Sequence, residues 1–200
     1  MLRLMPKSKT SKRNYNNRTR RESIDKSKQA IIEALIALLV ENRGGEVSFR
    51  DISKKAGVSE RSIYRFFSDK AALHEEMDHY LASYIEASVD QLKHLNVAEF
   101  AKNAFLLFDK HAPLVLAYIF SPFGQELRKI FRLKLNKLIR SKILKEKKII
   151  ASKAVEKKIA VVCSLINAKI WSDLNTDYGY TGAELGDTVL WAVHRLIEDI

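Results

Sequence analysis

An all-α fold in two parts, a small three-helix head followed by a larger helical domain, is what this sequence predicts. Two observations carry that expectation. Proline and glycine are scarce, at three and seven of 200 residues, while helix-forming Lys, Leu, Ala, Ile and Glu dominate. Apolar residues also recur at three- and four-residue spacing along most of the chain, repeatedly preceded by Ser, Thr or Asn at cap positions. The length allows two cores. No apolar run is long enough to cross a bilayer, and a lone Cys163 cannot form an internal disulfide, which suits a reducing cytoplasm.

The elements follow in chain order. Residues 1–28 hold ten Lys or Arg against Glu22 and Asp25, so most of the formal +11 is concentrated there. Residues 1–23 are polar, without apolar periodicity, and are expected to form a disordered basic arm. Two readings stay open for it: an arm lying along phosphates or in a minor groove, or a solvated tail. A transit peptide fits less well, because the arm lacks an apolar face. Ile31, Leu35, Leu38 and Leu39 then repeat as one helical face, and Gly44 with Gly45 closes that helix.

The segment Val47 to Leu73, VSFRDISKKAGVSERSIYRFFSDKAAL, is the most informative. Ser48 stands three residues before Asp51, a capping-box spacing that starts a helix near Phe49. Phe49, Ile52 and Ala56 fall on its inner stripe, and Arg50, Lys54 and Lys55 on its outer one. Gly57 permits the left-handed turn that ends it. Val58 plugs the angle, and Ser59 caps a second helix running to about Phe67, with Ile63, Phe66 and Phe67 inward and Glu60, Arg61, Ser62, Tyr64 and Arg65 outward. Two short helices around a glycine turn form a helix-turn-helix, whose second helix enters the major groove. Arg61 and Ser62 are the expected base readers, since Arg can donate two parallel bonds to guanine. Tyr64, Arg65 and Lys70 are expected on phosphates, Lys70 in the first turn of a helix capped by Ser68. Ser48, Arg50 and Ser59 complete the DNA-facing set. The plain alternative is a pair of amphipathic helices with a solvated polar face.

Gly57 through Leu73, read as G-V-S-x-x-S-I-Y-R-F-F-x-x-K-x-x-L, resembles the signature of the TetR/AcrR family of bacterial transcriptional regulators, over roughly Ser27 to Leu73. Phe66 stands where many members carry His or Tyr, and Ser62 where Thr, Gly or Ala is frequent. After the basic arm at 1–23, the resemblance implies two parts: a helix-turn-helix DNA-binding domain at 24–72, and a helical ligand-binding and dimerisation domain at 73–200. It implies a homodimer through the last two helices, double-stranded DNA with a pseudo-palindromic operator as partner, and a small-molecule inducer.

Beyond the motif, Leu73, Met77, Tyr80, Leu81 and Tyr84 continue a helix toward Val89, which in the family transmits the inducer signal. Asn96 and Glu99 form a cap pair opening a helix with Phe100, Ala104, Leu107 and Phe108. Pro113 and Ser121-Pro122 bound a short apolar segment, Leu114 to Phe120. Phe100, Phe105, Phe108, Tyr118, Phe120 and Phe123, together with Trp171, are either plain core or the lining of a ligand cavity. Arg128 to Lys148 carries ten cations and one acid, Glu146, beside Leu127, Phe131, Leu135, Leu138 and Ile139 at helical spacing. That is a long amphipathic helix with a charged outer face, either simply solvated or drawn to DNA flanks, an anionic partner or a membrane surface. Val155, Ile159, Val162, Ile166 and Ile170 form one stripe, and Leu185, Val189, Ala192, Val193 and Leu196 another behind the Thr181–Glu184 capping box. A loop from Asn175 to Gly182 joins them as a hairpin. Trp171 and Trp191 are candidate dimer anchors by family analogy, with burial inside the chain as the alternative.

Nothing points to catalysis. His74 and His79 are five apart, about 140° around a helix, whereas a shared metal needs i, i+4. Cys163 sits in an apolar run, and no glycine-rich phosphate loop, paired-Cys zinc site or Ser-His-Asp arrangement occurs. The expectation is therefore a cytoplasmic, non-enzymatic, DNA-binding transcriptional repressor without cofactor, relieved by an inducer. The alternatives are a same-family activator or protein-sensing regulator, or a basic helical protein at a membrane surface.

Overall fold

The computed structural model describes the backbone of residues 10–121 and 125–200, and the side chains of residues 22–121 and 127–200. The described residues form ten helices and no strand: α1 (Thr10–Glu41), α2 (Phe49–Ala56), α3 (Glu60–Phe66), α4 (Lys70–Leu92), α5 (Val97–Lys110), α6 (Ala112–Phe120), α7 (Gln125–Lys147), α8 (Lys153–Leu165), α9 (Ala168–Tyr178) and α10 (Gly182–Glu198).

The α1–α3 head forms around one core. Ile31, Leu35 and Leu39 of α1 are buried as the spacing requires, but so are Ile32 and Ile36. The second buried face arises because α1 is central: α2, α3, α4 and α6 all pack against it. Phe49, Ile52, Ile63, Phe67, Leu73, Met77 and Leu81 complete this cluster. Each such side chain removed from water contributes roughly 1.5–3 kcal/mol. Lys28 of α1 fastens to Glu76 of α4 at 2.6 Å.

One member of the head core comes from far along the chain. Ala117, on α6, is fully buried in it, and α6 runs directly against α1. Gly44, at φ 81°, makes that approach possible, since a Cβ there would overlap the carbonyl oxygen of Phe120. Its backbone N–H also closes α1 by donating to the Leu39 carbonyl at 2.8 Å.

The second core lies among α5, α7, α8, α9 and α10, with α5 and α10 the most extensively packed pair. Asp109 ties three of these helices together. It accepts from Trp171 Nε1 at 2.8 Å and from the Ala183 backbone N–H at 3.2 Å.

Four expectations need correcting. The segment expected as a disordered arm is helical from Thr10 onward; its sequence lacks an apolar face, but Lys, Arg and Ser do not interrupt a helix already nucleated downstream. Residues 1–9 lie outside the described residues. The cap of α4 is Asp69 rather than Ser68, with Oδ1 accepting from Ala72 N–H at 2.8 Å. The stripe Val155 to Ile170 is not one helix: the chain breaks at Ile166, and Asn167 caps α9 through the Lys169 N–H at 2.8 Å. The expected loop from Asn175 shrinks accordingly, because α9 continues to Tyr178 and Gly179 turns the chain at φ 74°.

Candidate functional site

The outer face of the helix-turn-helix is built by caps. Ser48 and Asp51 form the complete capping box, Asp51 N–H donating to Ser48 Oγ at 3.1 Å and the Ser48 N–H to Asp51 Oδ2 at 3.3 Å. The Ser48 hydroxyl also donates to Asp51 Oδ2, and this bond, followed by that from the Ser48 N–H, holds the Asp51 carboxyl below its ordinary range. Gly57 adopts φ 66°, and no atom lies near where its Cβ would stand. Glycine is needed there for backbone conformation alone. Ser59 caps α3, with Ser62 N–H donating to its Oγ at 3.1 Å.

On this scaffold Arg50, Ser59, Arg61, Tyr64, Arg65 and Lys70 are exposed, and Ser48 and Ser62 half-buried. The caps restrict two of the expected DNA-facing residues. Ser48 Oγ is engaged with Asp51, and Ser62 Oγ shares a 2.9 Å hydrogen bond with Ser59 Oγ. Tyr64, 58% exposed, rests edge-on against Phe49 with ring centroids 4.9 Å apart. Arg65 lies over the Phe66 ring at 4.8 Å. Both aromatic contacts orient a polar tip outward while leaving its donor free. Lys70 is the first residue of α4, where helix N–H groups and the ammonium attract the same anion.

Below the head, a cavity of about 290 Å³ opens between α4, α5, α6, α7 and the α8–α9 break. Of the aromatic residues singled out in the sequence, Phe100, Phe108 and Tyr118 line it. Phe105 and Trp171 do not; at 0% and 2% exposure they are packed core behind the wall, with Phe108 bridging to each at ring distances of 5.7 and 5.9 Å. Phe120 is not a lining residue either, because it closes α6 against α1. Phe123 lies outside the described residues.

Several lining residues escaped the sequence reading: Tyr84, Ser88, Phe131, Arg132, Asn136, Ser164 and Asn167. Phe131, Arg132, Leu135 and Asn136 are one face of α7, legible as helical spacing but not as a cavity wall. The Ser88 and Ser164 hydroxyls donate to backbone carbonyls one turn earlier, those of Tyr84 and Ala160, at 2.9 Å each. Burial pushes the Tyr118 phenol up to about 12 and the Cys163 thiol up to about 11, so both stay neutral at ordinary pH. Such a thiol makes a poor nucleophile.

The basic helix is less solvated than its charge suggests. Arg128 donates to the carbonyls of Tyr118 and Ser121, at 2.8 and 2.9 Å, and so caps the end of α6. Lys142 donates to the Leu95 carbonyl at 2.6 Å, and Arg140 grips Glu156 through two nitrogens at 2.8 and 2.6 Å. Half-buried Arg128 and Lys142 thus correct the expectation of a wholly outward charged face.

A seven-residue exposed helix, capped at its start, preceded by a glycine turn and flanked by Arg, Tyr and Lys, defines the class of helix-turn-helix DNA-binding domains. Residues 31–77 match the sequence profile of the bacterial regulatory proteins of the tetR family. That match is confined to a quarter of the chain toward its N-terminus, the part that holds the helix-turn-helix. Among similar proteins are the nucleoid occlusion factors SlmA of Glaesserella parasuis, 38% identical over 76 residues, and of Haemophilus ducreyi, 37% over 73. These likenesses span 36% and 34% of this chain, and only 38% and 36% of the relatives' own length. The fold extends further. The transcriptional regulator FadR from Bacillus subtilis, solved in complex with stearoyl-CoA, superposes with a TM-score of 0.63 over 86% of this chain and 98% of that one, at 18% identity.

Proposed function

We propose that this protein is a homodimeric, sequence-specific transcriptional regulator of the TetR type, a repressor that leaves a pseudo-palindromic operator when a small molecule occupies the cavity. The observation that carries the reading is the exposure of Arg61, Tyr64, Arg65 and Lys70 on a helix-turn-helix whose every turn is capped. Arg61 reads a base edge. Tyr64, Arg65 and Lys70 hold phosphates.

The dimer is formed by α8 and α10, which pack side by side and leave Val161 and Trp191 50% and 62% exposed. Large apolar side chains left outside a helix pair fit a self-complementary interface. Trp171, buried within its own chain, takes no part.

Release rests on α6. Leu114, Val115 and Tyr118 line the cavity, while Ala117, on the same nine-residue helix, is part of the head's core. A ligand that shifts α6 therefore shifts α1, and the two reading helices of a dimer lose their match to successive major grooves about 34 Å apart. FadR was solved with stearoyl-CoA, and that fold likeness supports a ligand with an apolar part. The SlmA likeness covers too little of either protein to carry nucleoid occlusion over.

The test is fluorescence anisotropy with DNA flanking the protein's own gene, at 50 and 200 mM salt. Tight, two-protomer binding to one fragment that weakens steeply with salt is expected. Binding of equal strength to every fragment, or of a single protomer, would refute the reading.

A further inference from the structure

We propose that the ligand taken by the α4–α8 cavity is an apolar molecule carrying a single anionic head, held by Arg132 with Asn136. The inference rests on the cavity being a ligand site, and names the chemistry of what enters it.

Among the described residues lining the cavity, Arg132 alone is charged, and no carboxylate accompanies it. Arg132 and Asn136 are one turn apart on α7, so their side chains project from the same strip of helix into the same opening. Neither has a hydrogen-bond or ion-pair partner among the described residues. That separates them from Arg128, Lys134, Arg140 and Lys142 of the same helix, each of which is bonded to a carbonyl or carboxylate. The remaining polar linings are engaged or neutral: Ser88 and Ser164 bond their own helices, Asn167 Oδ1 caps α9, and burial raises the Tyr84 and Tyr118 phenols and the Cys163 thiol, so all three keep their protons.

Arg132 lines the cavity and is exposed, an arrangement in which a long side chain can pack its stem on an apolar wall and keep its charged end in water. An entering anion would exchange water for a forked, charge-assisted pair with the guanidinium and one bond from the Asn136 amide. Most of the rest of the lining is Leu, Ile, Val, Phe and Ala, and 290 Å³ corresponds to roughly ten water volumes of about 30 Å³ each. An amine would meet the guanidinium as a like charge. A neutral alcohol would use the interior and forgo the ion pair.

Calorimetric titration of the full chain with decanoate, decanol and decylamine, chosen as probes with one shared chain, tests this. Decanoate should bind about tenfold or more tighter than decanol, and decylamine weakest. Arg132→Gln should abolish the preference for decanoate while leaving decanol binding within about twofold, and Arg132→Lys should retain part of it. Arg132 is exposed and unbonded, so neither variant threatens folding, and an unchanged melting temperature checks that. Decanol or decylamine equalling decanoate in the unmodified protein, or a preference that survives Arg132→Gln, would overturn the anionic head while leaving the cavity as a ligand site. Absence of binding by all three would remove the cavity reading, and this inference with it.

Discussion

Gly57 holds φ 66° with open space around it, so Gly57→Ala should cost about 1–2 kcal/mol from backbone strain alone, read as a lower melting temperature of the head. The outward residues separate by role. Tyr64→Phe keeps the edge contact with Phe49 and removes only the hydroxyl, and Lys70→Ala removes a charge at a helix start; both should weaken binding to all DNA sequences alike. Arg61→Ala should instead relax base preference, at about 1–3 kcal/mol on the preferred operator, measured by anisotropy on matched and mismatched duplexes. His74 offers a pH test. Burial, then the nearby Lys70, lowers it from 6.5 to about 4, so its neutral form favours folding fully above 6.5, and that contribution is lost as pH falls from 6.5 toward 4. Asp78, one turn on, is raised by burial and opposes this trend. Chemical denaturation at pH 7 and pH 4.5 should therefore show a smaller loss in His74→Gln than in the unmodified protein.

Among the elements, the helix-turn-helix was legible because its signals are local: a cap, a glycine and an apolar stripe within 27 residues of sequence. Helix caps at Asn96 and Thr181 were legible for the same reason, and both bonds are present. What the sequence could not reveal was the partner of each face. The aromatic cluster divided between wall and core according to which helix stood opposite, and Trp171 went to the core because Asp109, 62 residues away, accepts its N–H. The break at Ile166 was hidden because apolar spacing continues across it while the backbone does not. Gly44→Ala tests the head-to-α6 contact. Its Cβ would collide with the Phe120 carbonyl, so the variant should lose stability and also respond less to any cavity ligand that releases DNA.

For the molecule as a whole, the proposed dimer predicts a steeper salt dependence of DNA binding than a single head would show, since two heads double the phosphates neutralised. Trp191→Glu, on a side chain 62% exposed, should leave the protomer folded while shifting sedimentation equilibrium toward monomer and weakening operator affinity by more than tenfold. A variant that stays dimeric and binds normally would move the interface elsewhere. No helix among the described residues is long and apolar enough to cross a membrane.

A helix that walls the cavity with some residues and completes the head's core with Ala117 leaves little freedom to its own sequence. Reshaping the cavity through α6 would disturb the head core that its neighbouring Ala117 completes, whereas the α7 wall, with Arg132 at its edge, can be rewritten without that penalty. New ligand preferences should therefore be sought by redesigning α7 while α6 is left untouched.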